Sequence, residues 1–223
     1  MKIATWNVER PSKSSPKTVE IINILKSLNA DIIVLTETNE FIDLGEEYKV
    51  YHTAALQDPM YKKGERRVSI FTRYPQPENV SFYETFNAET SICAHLDTPI
   101  GRLAVYGTII GIYGNREKSF IADLEAQLND IENVGSKVRS FCFIGDLNMS
   151  FADSYYFTQE GRIKLITAFD KSGLKNYTTN QPNNIDHIVL SKHFVGDRSV
   201  EWSDWNKEKK LSDHKGVMIE IVE

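Results

Sequence analysis

Apolar residues in this chain gather in short continuous runs, and the polar clusters that stand out fall where those runs end. Ile3 to Trp6 reads as a buried strand that stops at Asn7. Val19, Ile22, Leu25 and Leu28 recur at helical spacing, so Pro16 to Leu28 reads as a helix, with Ser15 as N-cap and Pro16 in the first turn. Asp31 to Thr36 is unbroken by polar residues up to Thr36, the pattern of a strand covered on both faces. The opening unit is therefore strand, helix, strand.

The middle of the chain is richer in strands. Val68 to Thr72, Ser91 to Leu96 and Arg102 to Ile110 fit best, and Thr98-Pro99-Ile100-Gly101 reads as the turn of a hairpin between the last two. Lys118 to Asn133 predicts a second helix, with Ile121, Leu124, Leu128 and Ile131 on its stripe. Ser140 to Ile144 is a buried strand that ends at Gly145-Asp146. Gly161 to Lys171 predicts a third helix that buries Ile163, Ile166 and Phe169. Ile188 to Leu190 and Val217 to Ile219 are late strands. Helices interspersed among more numerous strands need apolar sheet faces to cover, and two packed sheets with helices outside meet that need.

The chain has 223 residues and a net charge of −5. No Pro/Gly/Ser-rich linker divides it, and its polar clusters run from Asn7 to His214, so residues 1–223 are expected to form one domain. The acidic balance argues against a basic nucleic-acid coat, which would need clustered Lys and Arg. It leaves room for an enzyme that grips a single phosphate. Cys93 and Cys142 lie in strand-like runs and read as buried, reduced thiols. Met1-Lys2 leads straight into the first strand, with no leader pattern and no apolar run long enough for a membrane anchor. The expectation is a cytoplasmic monomer.

The clusters carry the candidate chemistry. They are Trp6-Asn7-Val8-Glu9, Thr36-Glu37-Thr38, Gly145-Asp146-Leu147-Asn148, Asn184-Ile185-Asp186-His187 and Ser212-Asp213-His214, with a weaker one at Tyr106-Gly107-Thr108. Carboxylates and amides at strand ends are poorly placed for a core and well placed to gather round a hard cation, which prefers oxygen ligands. Glu37 at the mouth of its strand fits a direct metal ligand, against a bland reading as a surface acid. Asn7 and Glu9 share a face if the strand continues. Asn7 would orient a carboxylate or donate to phosphate, and Glu9 would hold a metal-bound water, against an Asx turn. Asp146 fits a base that deprotonates water, and Asn148 a group that holds the geometry, against a plain turn. His214 would donate to a phosphate oxygen, with Asp186 on its other nitrogen fixing the tautomer and favouring the charged form. Asp213 would then face the metal. His52, His95, His187 and His193 read as structural or exposed.

Taken together, these motifs resemble the endonuclease/exonuclease/phosphatase superfamily, the DNase I-like fold. That family's W-N-x-(D/E), (Q/T)-E, G-D-x-N, I-D-(Y/H) and S-D-H are matched in order across nearly the whole chain. The resemblance implies an α/β four-layer sandwich, two packed mixed sheets flanked by helices. It also implies Mg²⁺ or Mn²⁺ held chiefly by Glu37 with Asp213 and Glu9 nearby, Asp146 and Asn148 at the nucleophilic water, and an Asp186–His214 pair at the phosphate. Two departures stand out. Ile109 aligns with the His or Tyr that most members carry in the central strand, and Tyr106 lies on the opposite strand face and reads as core. The segment from Asn176 to Asn184 is short and has no Trp, unlike the abasic-sugar pocket of apurinic endonucleases.

The expected activity is metal-dependent hydrolysis of a phosphate ester, with nucleic acid as the leading substrate. A phosphatase on small or lipid phosphate monoesters is the alternative, and a weakly active binding module a more distant one. Basic stretches at 62–67, 115–118 and 207–210 each contain an acid and read as solvated surface. The exception is Asn115 with Lys118, where a helix opening after the central strand suits a phosphate. Trp202 and Trp205 read as core or edge packing in preference to base stacking.

Overall fold

A computed structural model describes residues 1–78 and 83–223. Its first sheet comprises β1 (Lys2–Asn7), β2 (Ile32–Asn39), β3 (Lys49–His52), β4 (Glu65–Thr72), β10 (Ser199–Trp205) and β11 (Gly216–Val222), in the order β10-β11-β1-β2-β4-β3. The second comprises β5 (Ser91–Thr98), β6 (Gly101–Ile109), β7 (Phe141–Asp146), β8 (Leu174–Asn176) and β9 (Asp186–Ser191), in the order β5-β6-β7-β9-β8. The helices are α1 (Pro16–Ser27), α2 (Lys118–Gly135), α3 (Gln159–Lys171) and the short α4 (Lys192–Val195).

Strand parity builds the layers. On β2, Ile32 and Val34 enter the core between the sheets, whereas Ile33 and Leu35 meet α1 residues Ile21 and Leu25 on the outside. On β6, Leu103, Val105 and Ile109 face the inter-sheet core, and Ala104, Tyr106 and Ile110 face α2 and α3. This is the expected four-layer sandwich of two mixed sheets flanked by helices. The sheets approach closely at Gly107, where a Cβ would lie 2.9 Å from Val68 Cγ1 and 3.1 Å from Val34 Cγ1. Among the described residues no helix is long and apolar enough to cross a membrane.

Several expectations need adjusting. Helix α1 buries Thr18, Ile21 and Leu25, leaving Val19 60% exposed. Ser15 is the N-cap residue but makes no side-chain capping bond. Helix α2 buries Phe120, Leu124, Gln127, Asp130, Ile131 and Val134, with Ile121 and Leu128 only partly covered. In α3 the buried face is Gly161, Leu165 and Phe169, and Ile163 and Ile166 are exposed. Gly161 explains that rotation: a Cβ there would lie 2.6 Å from Met149 Cε and 3.0 Å from Phe120 Cε1, so a bare backbone sets the close contact. Strands β3, β8 and β10 lack a continuous apolar run and escape the sequence pattern. The 98–101 turn forms as expected, with Thr98 Oγ1 donating to Gly101 O at 2.6 Å. Cys93 and Cys142 are buried free thiols.

Candidate active site

Asn7, the last residue of β1, is the hub. Its side chain is buried, and its Nδ2 donates to Asp146 Oδ2 at 3.1 Å and to Glu37 Oε1 at 3.4 Å. Its Oδ1 accepts from the Glu9 backbone N–H at 3.0 Å, closing a tight turn beyond the strand. Its own backbone N–H donates to Asp186 Oδ1 at 3.0 Å, and its carbonyl accepts from Ser212 Oγ at 2.7 Å. One residue thus reaches four of the five main clusters besides closing its own.

Asp146 ends β7 and Asp186 begins β9, and the two are register partners in an antiparallel pair. Both follow inter-sheet core residues by two positions on their strands (Ile144) or precede them by two (Ile188), so parity aims both carboxylates into the gap between the sheets. Gly145 makes this possible. At φ 138 a Cβ would lie 1.9 Å from Thr108 O, so β6 and β7 can run side by side only with glycine there.

Asn148 closes the Asp146 turn. Its backbone N–H donates to Asp146 Oδ1 at 2.9 Å at φ 48, and its Nδ2 donates to the carbonyls of Ile110 (2.9 Å) and Gly111 (3.2 Å). Asn115 lies beneath it, buried, with Nδ2 donating to Asn148 O at 2.8 Å. Gly145-Asp146-Leu147-Asn148 is thus an Asx turn, and the same Asp146 carboxylate also meets Asn7 Nδ2. Asn115 supports the turn from below. Lys118 is the exposed first residue of α2 and makes no contact with the cluster among the described residues.

His214 donates from Nδ1 to Asp186 Oδ2 at 2.6 Å. Its Nε2 points to Asp146 Oδ2 at 3.9 Å and Asp213 Oδ1 at 3.6 Å. Burial of the imidazole opposes its charge, but the carboxylates of Asp186 and Asp146 and the hydrogen bond outweigh it and hold the ring protonated well above the usual histidine range. Burial, with the Asp186 charge beside it, pushes Asp146 above the usual carboxylate range, against the pull of His214 and of the Asn148 and Asn7 donors. The loop bearing His214 is pinned through its carbonyls. Trp6 Nε1 donates to His214 O at 3.1 Å, and Asn206 Nδ2 donates to Ser212 O at 2.8 Å and His214 O at 2.7 Å. Trp6 and Ser212 stand in recognisable motifs, whereas nothing in the sequence around Asn206 announces its clamp.

Glu37 sits at φ 45 just past the β1 pairing of β2. Its Oε2 makes no hydrogen bond among the described residues, although Arg10 Nε approaches to 3.0 Å as an ion pair. Glu9 is exposed and reaches the cluster only through its backbone, and the Asp213 side chain is 73% exposed. Ligand atoms of Asp146, Asp186 and His214 lie within 4.8 Å of one another, a second set that could surround a cation. A protonated imidazole repels a cation, however, and both Asp186 oxygens already accept hydrogen bonds. Glu37 keeps one carboxylate oxygen without a hydrogen bond among the described residues, the ligand type a hard divalent ion prefers, with the Arg10 guanidinium paired beside it.

The departure at Ile109 noted in the sequence has a structural counterpart. Ile109 pairs in register with Asp146, is buried in the inter-sheet core and offers no donor. Tyr106 turns to the helix side, where its OH donates to Asp130 Oδ2 at 2.5 Å, and Tyr113 is 65% exposed. His187 is structural, as expected. It is buried, its Nε2 donates to Met149 O at 2.9 Å, and Thr178 and Asn176 meet its Nδ1. It thereby ties β9 to the turn that carries Asn148. Trp205 packs edge-on against Trp6, but Trp202 is 52% exposed, contrary to its reading as packing.

Solved structures share this architecture. An AP endonuclease from Archaeoglobus fulgidus aligns at 18% identity and TM-score 0.70, over 99% of this chain and 99% of that one. The 3'-5' exonuclease (NExo) from Neisseria meningitidis aligns at 17% identity and TM-score 0.71 over the full length of both. A 3' phosphatase from Neisseria bound to product DNA hairpin aligns at 16% identity and TM-score 0.72, over 99% of each chain. At such identities the likeness is one of fold. No curated protein matches by sequence. A family model described as Endonuclease/Exonuclease/phosphatase family matches residues 4–214, a span that takes in Asn7, Glu37, Asp146, Asp186 and His214. The chain belongs to the Endonuclease/Exonuclease/phosphatase family of phosphoester hydrolases.

Proposed function

We propose that this protein is a divalent-cation-dependent phosphodiesterase that hydrolyses nucleic-acid phosphodiester bonds, acting as a cytoplasmic monomer. The observation that carries the reading is the buried triplet of Asp146, Asp186 and His214, with the Asn7 amide bridging Asp146 to Glu37. Glu37 would hold Mg²⁺ or Mn²⁺, with Glu9 and Asp213 approaching through water. When bound, that ion neutralises phosphate charge in the in-line transition state.

The chain's own residues divide the remaining work. Asp146, with its proton affinity raised by burial, accepts a proton from water as the water oxygen bonds to phosphorus and the ester P–O bond breaks. Asn7 holds the receiving carboxylate in place. Asn148 shapes the turn on its other side, and Asn115 holds Asn148. His214, kept protonated by Asp186, directs its Nε2–H toward Asp146 and the space in front of it, where a non-bridging phosphate oxygen would accept it. Lys118, at the exposed start of α2, is a candidate contact for the flanking backbone.

The deciding experiment is hydrolysis across a phosphate-ester panel: single-stranded, duplex, nicked and abasic DNA, RNA, nucleotides and inositol phosphates. Each is run with Mg²⁺, Mn²⁺ or EDTA. Turnover is expected on nucleic acid, lost with EDTA and in Glu37→Ala, Asp146→Ala and His214→Ala. Full activity in any of those variants overturns the assignment. Turnover confined to the monoesters replaces it with the phosphatase reading.

A further inference from the structure

A cavity of about 650 Å³ opens between β10 and the loops that carry the triplet. Its lining includes Tyr155, Gln181, Trp202, Lys207, Lys209 and Lys215. Its lining adjoins the centre along the chain: Lys215 follows His214, and the 181–183 segment runs directly into Asn184-Ile185-Asp186.

Three features of the lining point to one ligand chemistry. Trp202 and Tyr155 are 52% and 47% exposed, so two flat rings face solvent beside a phosphate-handling centre. Lys209 Nζ lies 4.4 Å over the Tyr155 ring and 2.7 Å from its hydroxyl, and Lys207 and Lys215 share Asp204 at 2.9 and 3.2 Å, so three cations against one paired acid stand at the edge of an aromatic floor. Gln181 is buried, and its Oε1 accepts no hydrogen bond among the described residues. An inorganic phosphate would leave most of this volume unfilled. An acyl chain would meet a rim of Lys, Asn, Asp and Glu. A nucleobase has two faces for the rings, edge N–H groups for the amide oxygen and a phosphate on each side for the lysines.

We propose that this cavity is a base-stacking subsite, holding on Trp202 a nucleotide that flanks the phosphate at the Asp146–His214 centre. The proposal rests on reading that centre as acting on nucleic acid, and it adds that recognition comes from stacking on an unpaired base rather than from hydrogen-bonded sequence readout.

Tryptophan fluorescence gives a test independent of turnover. Trp6 is fully buried and Trp205 packs on it, so Trp202 is the solvent-exposed reporter. Titration of the protein with short oligothymidylate in EDTA should quench emission saturably, and the effect should weaken with salt. Trp202→Ala should abolish the quench and, in competition with a labelled strand, weaken binding roughly tenfold. It should raise KM on an oligonucleotide by a similar factor, while kcat/KM on methyl p-nitrophenyl phosphate stays unchanged. Trp202→Phe, which keeps a ring, should retain most of the affinity and guards against a folding artefact. Quenching without oligonucleotide hydrolysis would remove the reading of the centre and leave the subsite standing. Oligonucleotide hydrolysis with KM and affinity unchanged in Trp202→Ala, or no quench in the wild type, would overturn the subsite.

Discussion

His214 and Asp186 meet at 2.6 Å, Nδ1 to carboxylate Oδ2, and the Asp186 oxygen not facing the ring is occupied by the Asn7 backbone N–H. The carboxylate is therefore fixed at both ends before any substrate arrives, and the imidazole is fixed with it. Replacing Asp186 by Asn keeps the shape but removes the charge that holds the ring protonated. Asp186→Asn should lower kcat by roughly 10²- to 10⁴-fold. Because the His214 pKa is raised in the folded enzyme, losing Asp186 should also move the alkaline limb of the pH–rate profile to lower pH. Steady-state rates from pH 5 to 10 would check this, and an unmoved limb would detach His214 from that ionisation.

Asn7 touches both Asp146 and Glu37 through one amide nitrogen. Asn7→Ala frees both carboxylates to turn while leaving them in place. Activity and Mn²⁺ affinity should fall by about 10- to 100-fold, the range for residues that orient metal ligands. Isothermal titration with Mn²⁺, beside rate measurements, reads the two effects separately, and wild-type values for both would contradict the hub role.

Gly145→Ala forces a Cβ toward Thr108 O at 1.9 Å in a backbone conformation with φ 138. The conformational strain alone is about 1–3 kcal/mol, and the steric overlap with β6 adds to it. A lowered Tm is expected, together with lost turnover, because Asp146 must shift with the strand. A variant that melts like the wild type would show that β6 and β7 can part without cost.

His187 is buried and neutral, its pKa lowered from 6.5 to about 4, with burial as the main cause. The unfolded ring takes up a proton near pH 6.5, whereas the folded one does so only near pH 4. Stability tied to this group is therefore fully present above pH 6.5 and lost as pH falls toward 4, by up to about 3 kcal/mol. Urea unfolding at pH 7 and pH 4.5 should show a larger loss for the wild type than for His187→Gln. Equal losses would mean that the ring titrates normally in the fold.

Much of this arrangement was legible in the sequence because its chemistry sits where strands stop. A buried strand must end in groups that can face water or each other, so Asn7, Glu37, Asp146 and Asp186 announced themselves at the edges of apolar runs. Helix faces were harder. Ile163 and Ile166 looked like core but point outward, since the spacing of apolar residues cannot see that Gly161 sets the contact side of α3. Strands β3 and β10 are mostly exposed on one or both faces and carry no apolar run to betray them. Asn206 escaped for another reason. Its clamp on His214 O spans a loop whose path depends on where β10 and β11 lie, and no local pattern encodes that. Glu9 and Asp213 follow the family pattern in sequence yet stay exposed, Glu9 touching the cluster through its backbone N–H and Asp213 lying 3.6 Å from His214 Nε2.

The bond from Ser212 to Asn7 joins positions 205 residues apart, and β1 lies in its sheet between β2 and β11. The centre therefore exists only once β1 and β11 have paired. Such distant pairing is slow to find, and no fragment lacking β11 can hold His214 against Asp186. Under the proposed function, hydrolysis would therefore begin only once β11 has docked beside β1, and not in a partly folded chain.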